Sequence, residues 1–259
     1  MDTQIEKIML LKVPIDIVPP KELPEVISRL LANNKNTETT QKGMNIVLLS
    51  VWDLLKARRN KEYREYVANA SMVIPISKSL VTGAKFLTGK QVYRYMPFNF
   101  IVSLLSILEK KELSLYLLGG SSKILNKTEK NIRYTFPGLK IVGRYEGKIR
   151  KAERPAINEA IRKASPSLLL VGKRVRGGEL WIARNSINLN SAFRLWCSDL
   201  FEVFTGKKYR PGKAVFDKGL ECVGYCLRSP FKLFRIFPYL YYKLLLLLYK
   251  LFKANDAER

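Results

Sequence analysis

Histidine is absent from the 259 residues. That absence excludes Ser-His-Asp and Cys-His nucleophilic catalysis, removes the commonest metal ligand, and takes away the usual general base near neutral pH. Acid-base chemistry in this chain must rest on carboxylates, Lys, Tyr or Cys. Cysteine is nearly as scarce: Cys197, Cys222 and Cys226 make an odd count without metal-ligand spacing. Cys222 and Cys226 lie one helical turn apart in an apolar stretch, which reads as buried helix thiols in a reducing compartment rather than as a disulfide or redox pair. Acids are few as well, with 22 Asp+Glu against 46 Lys+Arg, a formal charge of +24. The first twenty residues carry Asp2 and Glu6 and break at proline. They lack the basic region and long apolar core of a signal peptide and read as a strand and turn inside the fold.

What is present is a core. At 47% hydrophobic the chain can bury a sizeable interior, which excludes disorder, and its length allows one large or two small domains. Short apolar runs of strand length occur at Met44–Val51, Ala70–Ile76, Ser114–Gly120, Leu139–Tyr145 and Ser167–Lys173. Helical stretches separate them, notably over Ser122–Phe136 and Pro155–Ala164. Strands apolar on both faces and alternating with helices predict a parallel sheet covered by helices, an α/β layered fold. Ligands of such folds bind beyond the carboxyl ends of the strands, so the tips at Ile76–Ser77, Gly119–Gly120 and Gly172–Lys173 are expected to border one crevice.

The positive charge requires an anionic partner: nucleic acid, a membrane surface or phosphorylated small molecules. From Thr205 to Lys253 there are eleven Lys/Arg and two acids, Asp217 and Glu221, so 11 − 2 = +9 falls in that segment. Its end, Ser229–Lys253, has no acid and mixes Lys232, Arg235, Lys243, Lys250 and Lys253 with Leu, Phe and Tyr. The longest uncharged run there, Ile236–Tyr242, is interrupted by Pro238, far short of the ~20 apolar residues of a spanning helix. The composition predicts a helix lying on an anionic bilayer, set apart from the preceding fold by Pro230 and Pro238. The alternative is a helix packed on the fold with its Lys stems extended along it. Nucleic-acid binding is suggested only by pI ≈ 10.0; no recognition motif supports it.

Several strings occur in a recognisable order: LYLLGG before a helix, FPGLKIVGRYEG, LLLVG, GGELWIARN (Gly177–Asn185) and FEVFTGKKYRPGKAVFDKGLE (Phe201–Glu221). Over about residues 5–240 they resemble the bacterial WecG/TagA/CpsF glycosyltransferases, family 26. The resemblance implies a Rossmann-like α/β domain, taken as residues 1–205, and a membrane-reaching appendage, residues 206–259. It implies transfer of an N-acetylhexosamine such as N-acetylmannosamine from UDP to a polyprenyl-diphosphate-linked sugar, with inversion and without metal or cofactor. It also implies a peripheral protein on the inner, cytoplasmic face of the cell membrane, and homo-oligomers that bring a neighbour's surface to the crevice.

That chemistry needs a carboxylate to take the acceptor's proton and cations or hydrogen-bond donors to receive the UDP phosphates. The family's Leu-Pro-Asp-Gly, with Asp the proposed base, is here Ile74-Pro75-Ile76-Ser77, so Ile76 stands at the base position. Thr-x-Asn becomes Leu48-Leu49-Ser50, leaving Ser50, and Gly-x-Gly-x-Pro-Lys-Gln-Glu becomes Gly172–Glu179 with only Gly172 and Glu179 kept. Glu202 occupies the acidic position of the family's Gly-Gly-x-Phe-Asp. By resemblance, Glu202 and Arg94 are the catalytic candidates, with Glu179 and Asp199 as further substitutes for the missing base. Ser50, Gly119, Gly120, Ser121, Gly172, Arg176 and Glu179 are the candidates for the donor. Lys207, Arg210, Lys213 and Arg228 are those for the acceptor diphosphate and the membrane. Trp181 and Ile182 read as helix core. Two functions follow: a transferase with a diverged site, or a catalytically silent relative binding a glycan-lipid, a nucleotide-sugar or a partner transferase.

Overall fold

The computed structural model describes residues 5–35, 43–219 and 237–257. Leu220–Ile236, which contain Glu221, Cys222, Cys226 and Arg228, lie outside the described residues. The chain opens with an antiparallel hairpin, β1 (Lys7–Leu10) and β2 (Val13–Asp16), as the N-terminal pattern predicted. It then builds one six-stranded sheet from β3 (Met44–Leu49), β4 (Met72–Pro75), β5 (Ser114–Leu118), β6 (Lys140–Tyr145), β7 (Leu168–Gly172) and β8 (Phe193–Ser198). The order is β4-β3-β8-β7-β5-β6, and all pairs are parallel. The α/β fold expected from the apolar strand runs is thus the observed one.

Successive strand residues face opposite sides, so each strand feeds two cores. Val47, Leu49, Val73, Leu169 and Val171 pack with α2 (Val51–Arg59), α3 (Lys61–Ala68), α7 (Arg154–Ala164) and α8 (Glu179–Asn185). Ile46, Met72, Ile74, Leu168 and Leu170 pack with α1 (Leu23–Lys35), α5 (Pro97–Lys110) and α6 (Ser122–Thr135). Trp181 and Ile182 are buried in the first core, as expected. The last described helix, Phe237–Ala257, docks on α2 and on α4 (Lys78–Thr88). Tyr242 is its anchor, 1% exposed, with its hydroxyl donating to the Ser79 carbonyl at 3.1 Å. Gly83 on α4 admits the Tyr242 ring, because a Cβ there would collide with the tyrosine oxygen. The inner face of this helix packs on the fold, as the packed-helix reading expected, and its outer face is exposed.

Asp16 locks the hairpin to the sheet. Its carboxylate is 1% exposed, accepts the Val73 amide at 2.6 Å and lies 3.7 Å from the Lys7 ammonium. Burial raises its pKa to about 6, against the opposing pull of the Val73 hydrogen bond and Lys7. The folded protein thus holds a proton that the unfolded chain releases near pH 4, and stability falls as pH rises from about 4 to about 6. A shift of about two pH units corresponds to ~3 kcal/mol. Asp16→Asn keeps an acceptor for Val73 and abolishes this titration. Urea unfolding at pH 4 and pH 7 is expected to show a smaller stability difference in the variant, and equal differences would refute the burial assigned to this carboxylate.

Candidate active site

The strand tips surround a cavity of about 410 Å³ at the carboxyl ends of β4 and β8. Ile76, Ser77, Lys78 and Ser79 enter it from the end of β4, and Cys197, Ser198, Asp199 and Leu200 from the end of β8. Residues Lys208–Pro211, Phe216 and Gly219 form its roof, while Trp52 and Tyr239 close one side. Among the described residues, four basic side chains, Lys78, Arg94, Lys208 and Arg210, share this wall with one carboxylate, Asp199. Asp199 forms ion pairs with both Lys173 and Lys208.

The roof is held by cations from the floor. The short helix α10 (Lys213–Lys218) ends on Gly219, whose amide bonds the Phe216 carbonyl at 2.8 Å, and its last carbonyls take further donors from the cavity floor. Arg94 donates its Nη1 to the Phe216 carbonyl at 2.5 Å and its Nε to the Ile76 carbonyl at 2.8 Å, with the guanidinium 3.7 Å from the Phe216 ring centre. Lys78 donates to the carbonyls of Asp217 and Lys218 at 3.0 and 3.2 Å. Cations at a helix C-terminus satisfy both the open carbonyls and the helix dipole. Arg210 pairs with Asn99 and lies 4.5 Å over the Phe98 ring, fixing the front of the same roof.

The other candidates divide among separate places. The three strand tips meet this cavity unequally: Ile76 and Ser77 line it, Lys173 reaches its wall through the ion pair with Asp199, and Gly119, Gly120 and Gly172 do not line it. Those glycines are dictated by backbone crowding. Gly119 takes φ +132°, and a Cβ on it would stand 2.7 Å from the Gly172 amide nitrogen; a Cβ on Gly172 would meet the Phe201 ring at 2.6 Å. Gly120 donates its amide to the Lys173 carbonyl at 2.7 Å, and Ser121 begins α6 as its N-cap. Arg176 is exposed on the loop after β7.

Ser50 and Glu179 belong to a second cluster beside β3. Ser50 caps α2, its amide and hydroxyl both bonding the Asp53 carboxylate at 2.9 and 2.5 Å. Glu179 pairs with Lys56 at 3.1 Å. Burial, and for Glu179 also the charge of Asp53, raise both carboxyl pKa values. Glu202 stands outside the cavity wall, half-buried, and its Oε2 has no hydrogen-bond partner. Lys207 and Lys213 flank the roof without lining the cavity. Sequence reasoning missed Trp52, Lys78, Lys208 and Tyr239, which come from four distant segments. Lys208 had one visible signal, its place in the basic loop Lys207–Lys213.

A parallel α/β sheet with a cation-rich cavity at its carboxyl edge has the charge and placement that suit an anionic small molecule. The particular class follows from comparison with known proteins: the model of the glycosyl transferase WecG/TagA/CpsF family matches residues 8–257, and the chain belongs to that family. One relative, the N-acetylglucosaminyldiphosphoundecaprenol N-acetyl-beta-D-mannosaminyltransferase of Bacillus spizizenii (strain ATCC 23059 / NRRL B-14472 / W23), is 22% identical over 216 residues. That alignment covers 82% of this chain and 83% of the relative.

Proposed function

We propose that the chain transfers an N-acetylhexosamine, of the N-acetylmannosamine type, from a UDP donor to a polyprenyl-diphosphate-linked sugar in cell-envelope polysaccharide synthesis. The observation that carries this reading is the cavity wall of Lys78, Arg94, Lys208 and Arg210 at the carboxyl ends of β4 and β8. On that wall Lys208 and Arg210 suit phosphates on which charge develops as UDP departs, while Lys78 and Arg94 hold the roof beside them. The relative's name describes transfer of mannosaminyl to such a lipid-linked acceptor, and the alignment spans most of both chains.

The acceptor's lipid calls for a membrane-facing surface. Among the described residues no helix is long and apolar enough to cross a membrane. The C-terminal helix instead exposes Phe237, Leu240, Leu244, Leu247, Leu251 and Phe252 by half or more, and Tyr239 on the same helix lines the cavity. A groove lined by Trp52, Leu55, Phe237, Pro238 and Tyr241 shares Trp52 with the cavity. In this reading residues 206–259 form the membrane appendage, the protein sits peripherally on the inner face, and the lipid reaches the cavity along the groove. Homo-oligomers and a partner transferase belong to the same reading as further contacts of that face.

A second reading, a catalytically silent relative that binds the same ligands, is favoured by Ile76, an isoleucine in the cavity wall where the family carries its acid. The two are separated by incubating the purified chain with UDP-N-acetylhexosamines and a short-chain polyprenyl-diphosphate sugar. Acceptor-dependent release of UDP is the expected result. UDP binding in calorimetry without any release supports the silent reading and refutes transfer.

A further inference from the structure

We propose that Asp199 is the general base of this chain, replacing the acid missing at position 76. The inference rests on the transferase reading above. Glycosyl transfer to a hydroxyl requires a proton acceptor within hydrogen-bond reach of that hydroxyl. Among the described residues that line the cavity, Asp199 is the one carboxylate. The other two substitutes are placed elsewhere: Glu179 is tied to Lys56 beside β3, and Glu202 lies outside the wall.

The backbone is shaped to present this side chain. Ser198 ends β8 with φ +45°, a left-handed conformation rare for a residue other than glycine, and Asp199 follows at the turn into α9 (Leu200–Phe204). β8 lies between β3 and β7 near the middle of the sheet, so its tip faces the cavity floor beside Ile76. The Asp199 side chain is 17% exposed and is shared by Lys173, from the tip of β7, and Lys208, from the roof loop.

That sharing links the base to the donor. A UDP diphosphate in the cavity competes for the Lys208 ammonium, and the carboxylate oxygen that Lys208 leaves is open to the acceptor. The acceptor hydroxyl oxygen then bonds to the anomeric carbon while the bond from that carbon to the β-phosphate oxygen breaks. Its electron pair departs on UDP, and the hydroxyl proton passes to Asp199 and from there to water.

The test is acceptor-dependent UDP release by the full chain and its Asp199→Asn and Asp199→Glu variants, with UDP binding followed by calorimetry. Asp199→Asn is expected to lower kcat by ~10²–10⁴-fold. UDP binding is expected to be unchanged or tighter, because Lys208 is released from its partner. Asp199→Glu keeps the charge that the two lysines face, so it reports on the base even where the Asn variant folds poorly, and it is expected to recover part of the rate. Turnover of the Asn variant within about threefold of the parent overturns the proposal, as does a loss confined to Glu202→Gln or Glu221→Gln. A parent chain that binds UDP but releases none defeats the transferase reading itself, which is a different outcome from an active parent indifferent to Asp199.

Discussion

Replacing Leu240, Leu244, Leu247 and Leu251 together by glutamine is expected to remove the protein from anionic vesicles in co-sedimentation while leaving its thermal transition nearly unchanged. The four side chains are 52–63% exposed and recur at spacings of four, three and four, so they occupy one face of the C-terminal helix. The opposite face, through Tyr242 and Leu246, is buried against the fold. Moving the exposed part of a leucine from water into the acyl boundary is worth ~1 kcal/mol, from about 25 cal/mol per Å² of apolar surface. Four such changes amount to ~4 kcal/mol, or ~10³-fold in partitioning. Glutamine matches leucine in helix propensity, and exposed substitutions of this kind change stability little. The lysines act separately. Lys243→Gln with Lys250→Gln is expected to weaken binding by about 1 kcal/mol per charge on anionic vesicles, and to do nothing on neutral ones. If the four-leucine variant pellets as fully as the parent, the helix does not serve as the membrane surface.

The composition of this helix was legible in advance, but its orientation was not. Basic and apolar residues in Phe237–Lys253 are compatible with a packed helix or a lipid-facing one; the choice of inner face depends on Gly83, more than 150 positions earlier, leaving room for Tyr242. Strands β3, β4, β5 and β7 were readable because strands buried on both faces appear as apolar runs, and the edge strand β6 because its short run follows the Pro137-Gly138 turn. β8 escaped notice because Arg194 interrupts FRLWCS. That guanidinium is 1% exposed, bonded to the Ser191 hydroxyl and the Leu189 carbonyl, and desolvation lowers its pKa to about 10. Asp199 was named as a substitute base, but without β8 its place at the middle of the sheet was not legible. Gly119 and Gly172 carry a different ambiguity: a glycine required by the approach of two backbones is indistinguishable in sequence from one that admits a phosphate. The cavity brings together Trp52, Lys78, Asp199, Lys208 and Tyr239, which no local pattern joins. Ile76 and Ser77 follow directly from the end of β4, and Arg94 and Arg210, named by resemblance, line the cavity as well.

Arg94→Ala is expected to reduce acceptor-dependent UDP release by ~10²-fold or more, chiefly through loss of the roof. Arg94 and Lys78 both hold the carbonyl end of α10, and Arg94 also ties that end to the tip of β4 through Ile76. A hydrogen bond from a charged donor contributes ~1.5–3 kcal/mol, and the guanidinium on the Phe216 ring adds ~0.5–2 kcal/mol. Losing ~3 kcal/mol from the closed arrangement leaves the assembled cavity populated about a hundredfold less. A guanidinium engaged by two backbone carbonyls acts by positioning α10, so Arg94→Lys, which keeps the charge but cannot span both, is expected to fall near the alanine variant. Direct phosphate binding by Arg94 predicts the reverse, with Lys recovering most of the rate. Because Lys78 and Arg94 secure the same helix end, their effects are expected to be non-additive. Lys78→Ala should reduce release on its own, and the double variant should lose little beyond Arg94→Ala. Limited proteolysis in the 206–219 segment supplies the independent readout: faster cleavage in Arg94→Ala with a retained global transition supports the roof role, and unchanged cleavage rates refute it.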